Sequence, residues 1–207
     1  MKIYGNPFST CTRKVLATLA EKGKEVEMVM VDLGKGEQKN PEYLKRQPFG
    51  KVPALEDDGF QLYESRAIIR YLDDKLPGIK LTPADPKQRA TMEQWSSVEY
   101  SYFSPTAMKI VYQKIFHPMR GQPVDMEVVK KAKEDLGRTL DVMEAQLGKT
   151  PYIAGDSFTL ADIGYMPYLE YVFAGQEGDV VEARPHVAAW WKRISARPSW
   201  KKAIGKG

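Results

Sequence analysis

The spacing of apolar residues changes character once along the chain, near residue 77. Before that point the runs are short and mixed. Lys2-Ile3-Tyr4 predicts a strand stopped by Gly5-Asn6-Pro7, and after Ser9 the residues Val15, Leu16, Leu19 and Ala20 follow helical spacing up to Gly23. Glu25 to Val31 predicts a second strand, with Val26, Met28 and Met30 on one face and Val29 and Val31 on the other. A polar stretch with Gly34, Gly36 and Pro41 separates it from Val52–Leu55 and Phe60–Tyr63. These two runs flank Asp57-Asp58-Gly59 and read as an antiparallel hairpin. Ser65 then reads as the cap of a helix carrying Ile68, Tyr71, Leu72 and Leu76, closed by Pro77-Gly78.

Strand, helix, strand, hairpin and helix in that order make a compact α/β unit of the thioredoxin type over residues 1–77. Residues 78–85, with two glycine or proline breaks, form the expected linker. From 86 to 207 the period is helical throughout, which predicts an all-α domain. Met108, Val111, Tyr112, Ile115 and Phe116 mark one apolar stripe; Val129, Ala132, Leu136, Leu140, Met143 and Leu147 mark another. Pro105 falls inside the first helical stretch and should bend or interrupt it. In GDSFTLAD, Thr159 reads as an N-cap whose capping box is closed by Asp162. A last helix around Val187, Trp190, Trp191 and Ile194 should end before Arg197-Pro198.

Composition narrows the function classes. Of 207 residues, 43% are hydrophobic and 28% charged, and 31 Lys plus Arg against 27 Asp plus Glu leave a net charge of only +4. Acids and bases are interspersed, so no nucleic-acid tail is expected, and the basic stretch from Lys192 to Lys202 reads as a solvated helix face. The single cysteine, Cys11, excludes an intrachain disulfide. The first residues lack a signal-peptide apolar region and no run is long enough to span a bilayer, so a cytoplasmic protein with no membrane contact is expected. No metal site is expected.

Several segments resemble the cytosolic glutathione transferases, most closely the serine-type phi class. They are KIYGNPFSTCTRKVLATLAEKG, GEQKNPEYLKRQPFGKVPALEDDGFQLYESRAIIRYL, GDSFTLADI and RPHVAAWWKRISARPSW, in family order over nearly the whole chain. The resemblance implies glutathione as co-substrate and conjugation of its thiol to electrophilic small molecules. Ser9 stands where the family keeps its activating hydroxyl. Glu64 and Ser65 would take the γ-glutamyl end of glutathione. Val52 before a cis-Pro53 would pair with the cysteinyl backbone, and Lys39 and Lys51 would face the glycyl carboxylate. Gln38 and Lys51 depart from the phi pattern, which has histidine and glutamine there. Phe8, Met108, Tyr112 and Phe116 are the candidates for an electrophile pocket. Phe49 resembles the aromatic hook by which relatives form homodimers.

Each position also has a plainer reading. Ser9 and Ser65 could be helix caps only, and the aromatic stripe could be core. Tyr4, inside the first strand, reads as packing. Cys11, two residues beyond Ser9, is the rival nucleophile; it has no C-x-x-C partner, which leaves a monothiol exchange as one alternative. A glutathione-binding carrier without turnover is the other.

Overall fold

The computed structural model describes residues 1–206, which form two compact units. The first runs from Met1 to Leu81 and is completed by the chain from Arg197 onward; the second runs from Thr82 to Ala196.

In the first unit, β1 (Lys2–Gly5), α1 (Thr10–Glu21) and β2 (Glu27–Met30) make a strand–helix–strand crossover. A short helix α2 (Pro41–Leu44) precedes the hairpin β3 (Ala54–Asp57) and β4 (Phe60–Tyr63), and α3 (Ser65–Lys75) closes the run. The strands lie in the order β2-β1-β3-β4, with β1 parallel to β2 and the two hairpin strands antiparallel to their neighbours. The parallel pair needs a long crossover, and α1 supplies it. The hairpin turn puts Asp58 and Gly59 at φ 49° and 85°, the left-handed pair of a type I′ turn. Ile3, Val15, Leu19, Leu55, Ile68 and Leu72 are buried between sheet and helices, where each contributes about 1.5–3 kcal/mol.

α1 and α3 are also joined by a buried ion pair. Lys22 Nζ lies 3.1 Å from Asp73 Oδ1, with both side chains fully buried. It further donates to the carbonyls of Asp73 and Ile79, while Asp73 Oδ1 accepts the Leu81 N–H. The stretch expected as linker, 78–85, is therefore anchored in the first unit as far as Leu81, because those carbonyl and amide groups complete the shell of a buried charge.

The second unit consists of helices. α4 (Pro86–Val98), a π-helical turn (Glu99–Phe103), α5 (Ser104–Val111), a second π turn (Tyr112–Phe116) and α6 (His117–Met119) follow one another. The helical run continues past Pro105, but its α-helical pattern is interrupted just before it, as expected, by the π turn. A proline removes one helical hydrogen bond and crowds the carbonyl four residues back, here that of Ser101, and the π turn widens the backbone at that place. Pro118 stands in the same relation to Lys114 in the second π turn.

α7 (Met126–Leu147) buries Val129, Ala132, Leu136, Leu140, Met143 and Leu147, the whole of its predicted stripe. α8 (Leu160–Ala174) is buried from Leu160 to Leu169 without interruption, as befits a helix apolar all round. Its start is the predicted capping box: Asp162 Oδ2 accepts the Thr159 N–H at 2.8 Å. α9 (Asp179–Glu182) and α10 (Pro185–Ser195) complete the unit.

Beyond it, α11 (Pro198–Ala203) packs against α1 in the first unit. Arg197 reaches Glu21 by two bonds of 2.6 and 2.7 Å, and Ser199 also donates to Glu21. The sequence reading places this stretch in the helical domain and uses Pro198 as a stop. The structure instead uses Pro198 as the first residue of a new helix, where its missing N–H costs nothing. No helix among the described residues is long and apolar enough to cross a membrane.

Candidate functional site

The register of the sheet decides which loops meet. Tyr4 lies opposite Ala54, and Ala54 opposite Tyr63. β1 ends, β3 begins and β4 ends at the same edge, so three segments emerge there together: Gly5–Ser9, Lys51–Pro53 and Glu64–Ser65. The N-termini of α1 and α3 follow directly on two of them. A fourth segment joins through Gly50, which has φ 61° and whose added Cβ would lie 3.1 Å from the Gln38 carbonyl oxygen. Gln38 and Lys39 are thereby held beside Lys51.

Ser9 is the N-cap of α1 in extended conformation, φ −74° and ψ 128°. Its Oγ accepts the Thr12 N–H at 3.3 Å, which leaves the hydroxyl proton for another acceptor. The side chain is half-buried at the positive end of a twelve-residue helix, a place that favours an anion. The preceding loop is tightly held. Ser9 N–H donates to the Asn6 carbonyl at 2.9 Å, and the largely buried Arg13 donates from Nε to the Pro7 carbonyl at 2.8 Å.

The Val52–Pro53 peptide is cis, as the resemblance implies. The residue before it is fixed from two sides: Lys51 N–H donates to Gln47 Oε1 at 3.0 Å, and Tyr43 Oη donates to the Lys51 carbonyl at 2.6 Å. Burial pushes the Tyr43 phenol up to about 12, so it remains a donor at any ordinary pH. The Lys51 and Lys39 side chains are exposed. Gln38 is half-buried, and its Oε1 has no hydrogen-bond partner.

Ser65 does not cap α3. Glu64 occupies the cap position, and Ser65 is the first helical residue, 3% exposed. Glu64 has φ 70° and ψ 111°, sparsely populated for a residue with a side chain, and its own side chain is exposed. Backbone held in such a region costs about 1–3 kcal/mol and clusters at ligand sites. A capping rule selects the serine, whereas the sharp exit from β4 shifts the helix start by one residue.

The remaining candidates fall in two places. Phe8, beside Ser9 in the chain, is 58% exposed. Met108, Tyr112 and Phe116 belong to the second unit; Tyr112 and Phe116 meet edge to face at 5.5 Å, and Phe116 packs likewise on Tyr171. Phe49 is 69% exposed and touches Tyr63 edge-on at 6.0 Å. Cys11, the second residue of α1, is half-buried. Tyr4 donates to Glu56 Oε2 at 3.2 Å under the Arg46 guanidinium, a packing arrangement. Among the described residues no group of three or more His, Cys, Asp or Glu could hold a metal ion. Sequence reasoning missed Asn6, Thr12 and Tyr43. Asn6 reaches Val31 far along the chain, Tyr43 answers to a backbone carbonyl, and Thr12 joins Ser9 through its own N–H, so no side-chain pattern marks them.

Comparison with known proteins agrees in extent and detail. The profile described as the glutathione S-transferase N-terminal domain matches residues 1–74, and that of the C-terminal domain matches residues 103–198. Glutathione S-transferase F10 of Arabidopsis thaliana is 42% identical over all of this chain and 97% of its own. Glutathione transferase F7 of Populus trichocarpa superposes with a TM-score of 0.94 at 42% identity, covering 99% of this chain and 98% of its own. Glutathione S-transferase I of maize, solved with an atrazine–glutathione conjugate, superposes with a TM-score of 0.92 at 36% identity, covering 99% and 96%. A thioredoxin-like domain with a cis-Pro loop, followed by an all-helical domain, together with matches over both halves, makes this chain a member of the glutathione S-transferase family, in its phi class.

Proposed function

We propose that the protein conjugates glutathione to electrophilic small molecules, with Ser9 donating its hydroxyl proton to the thiolate. The observation that supports this reading is the unspent proton of Ser9 at a helix N-terminus, on the edge where the Val52–Pro53 and Glu64–Ser65 segments also emerge. Glutathione has matching chemistry. Ser65 and the α3 amides suit its γ-glutamyl carboxylate, Glu64 its ammonium, the Val52 backbone its cysteinyl unit, and Lys39 and Lys51 its glycyl carboxylate. For the electrophile the first unit offers Phe8, and the second offers Met108, Tyr112 and Phe116. The half-buried lone thiol suits a reducing, cytoplasmic setting.

A thiol of pKa about 8.5 is only a few per cent ionised at neutral pH, and lowering it by ~2 units stabilises the thiolate by about 2.7 kcal/mol. Ionisation thus contributes at most roughly thirtyfold at pH 7, and approximation of the two reactants supplies the rest. The test is conjugation of an aryl halide by wild type, Ser9→Ala and Cys11→Ala between about pH 5.5 and 8.5. Ser9→Ala is expected to lose one to two orders of magnitude in turnover, about 1.4–2.7 kcal/mol, while retaining glutathione affinity by calorimetry. Its rising pH limb should move to higher pH, and Cys11→Ala should stay within about twofold of wild type. A silent Ser9→Ala with an inactive Cys11→Ala would replace the mechanism by monothiol exchange.

The exposed Phe49 suits a homodimer. The second unit carries a groove of about 460 Å³ lined by Val98, Tyr102, Thr106, Arg138, Thr139 and Val142, of a size to seat an aromatic ring from a second copy. Phe49→Ala should weaken dimerisation by about 2 kcal/mol or more in sedimentation equilibrium. A wild-type monomer at micromolar concentration would remove the claim.

A further inference from the structure

We infer that Asn6 is a positioning residue for the Ser9 hydroxyl, an inference that rests on the role proposed for Ser9. Three hydrogen bonds form a closed circuit. Asn6 N–H donates to Thr12 Oγ1 at 3.3 Å, Thr12 N–H donates to Ser9 Oγ at 3.3 Å, and Ser9 N–H returns to the Asn6 carbonyl at 2.9 Å. Thr12 is fully buried and sits so close to β1 that a Cβ on Gly5 would lie 2.8 Å from its Cγ2. The circuit fixes where Ser9 Oγ stands, and hence where its proton can point.

The Asn6 side chain holds this circuit to the sheet. Its Nδ2 donates to the Val31 carbonyl at 3.1 Å, at the end of β2, and its Oδ1 accepts the Phe8 N–H at 3.0 Å. Val31 is 4% exposed, so its carbonyl has little access to water, and Pro7 has no N–H to contribute. The amide thus joins the turn before Ser9 to the strand next to β1. Without it, the loop loses its side-chain tie from Asn6 to Val31 and Phe8, while the Asn6 backbone bonds to Thr12 and Ser9 and the Arg13 bond to Pro7 still hold it folded.

The experiment compares wild type, Asn6→Ala, Ser9→Ala and the double variant in aryl-halide conjugation across pH, with calorimetric glutathione affinity. Asn6→Ala should lower kcat roughly threefold to tenfold and move the rising limb part of the way toward that of Ser9→Ala. Glutathione Kd should stay within about threefold. In the Ser9→Ala background the second change should cost nothing further, since it acts only through the hydroxyl. Asn6→Ser, which keeps a neutral acceptor for the Phe8 N–H, should recover part of the shift; it also serves as the deciding variant if Asn6→Ala does not fold. A pH limb unmoved in Asn6→Ala, or equal losses in both backgrounds, would overturn the inference while leaving Ser9 in place. A silent Ser9→Ala would overturn both.

Discussion

Two helix starts in this molecule use similar capping chemistry to opposite ends. At α8, Asp162 is fully buried and its two oxygens accept from Thr159 N–H, Thr159 Oγ1, Ile153 N–H and Trp190 Nε1. Burial pushes its carboxyl above the ordinary aspartate value, against the pull of those donors. At α1, Ser9 is half-buried, accepts a single N–H and keeps its proton. The α8 cap is saturated and invisible to solvent, so it can only hold structure. The α1 cap is half-spent and reachable. A capping residue therefore says little by itself; what distinguishes a site from a staple is hydrogen-bonding capacity left over where a ligand can arrive.

The strongest way to break this contrast is Asp162→Ala. It strands two backbone amides and an indole N–H in the core, and should cost about 3–5 kcal/mol in urea denaturation. The fraction that remains folded should show the wild-type pH limb; a shifted limb would mean the two caps are not separate in function. Ser9→Ala gives the converse. Beside its loss of turnover, it should lower stability by only about 0.5–1 kcal/mol, the ordinary worth of a single cap bond. A larger loss would make Ser9 a structural residue first. The smallest effect on turnover sharpens the contrast with a neutral case. Asp125 caps α7 by accepting the Glu127 and Val128 amides at 3.0 and 3.2 Å in an exposed position. Asp125→Ala should cost about 1 kcal/mol of stability and leave kcat unchanged.

Much of this arrangement is legible in the chain because it is local. Asp57-Asp58-Gly59 announces the hairpin since Asp-Gly favours the left-handed pair of a tight type I′ turn, and the register it sets brings Pro53 and Glu64 to one edge. Thr159 and Asp162 are three residues apart, the spacing of a capping box. What escaped depends on partners far along the chain. Asn6 reads as a turn residue, yet its amide answers to Val31; Tyr43 reads as one aromatic in a polar stretch, yet it fixes the Lys51 carbonyl. Pro198 carries two opposite meanings, a stop and a start, and the packing of α11 on α1, with Trp200 buried, decides between them. Ser65 was displaced from its cap because the exit from β4 demanded a positive φ one residue earlier.

The return of α11 to the first unit makes that unit discontinuous, with the helical unit threaded between its two pieces. Arg197 and Glu21 are 176 positions apart, and Trp200, fully buried, is made after the whole second unit. During synthesis the sheet and the loops at its end can assemble early, but the α1 face against which α11 packs stays uncovered until residues 198–203 emerge. The nascent thioredoxin-like unit thus waits, with an apolar face open, for the remainder of the polypeptide. A fragment cut at Leu81 would carry every residue proposed to bind glutathione and still lack the piece that seals its back.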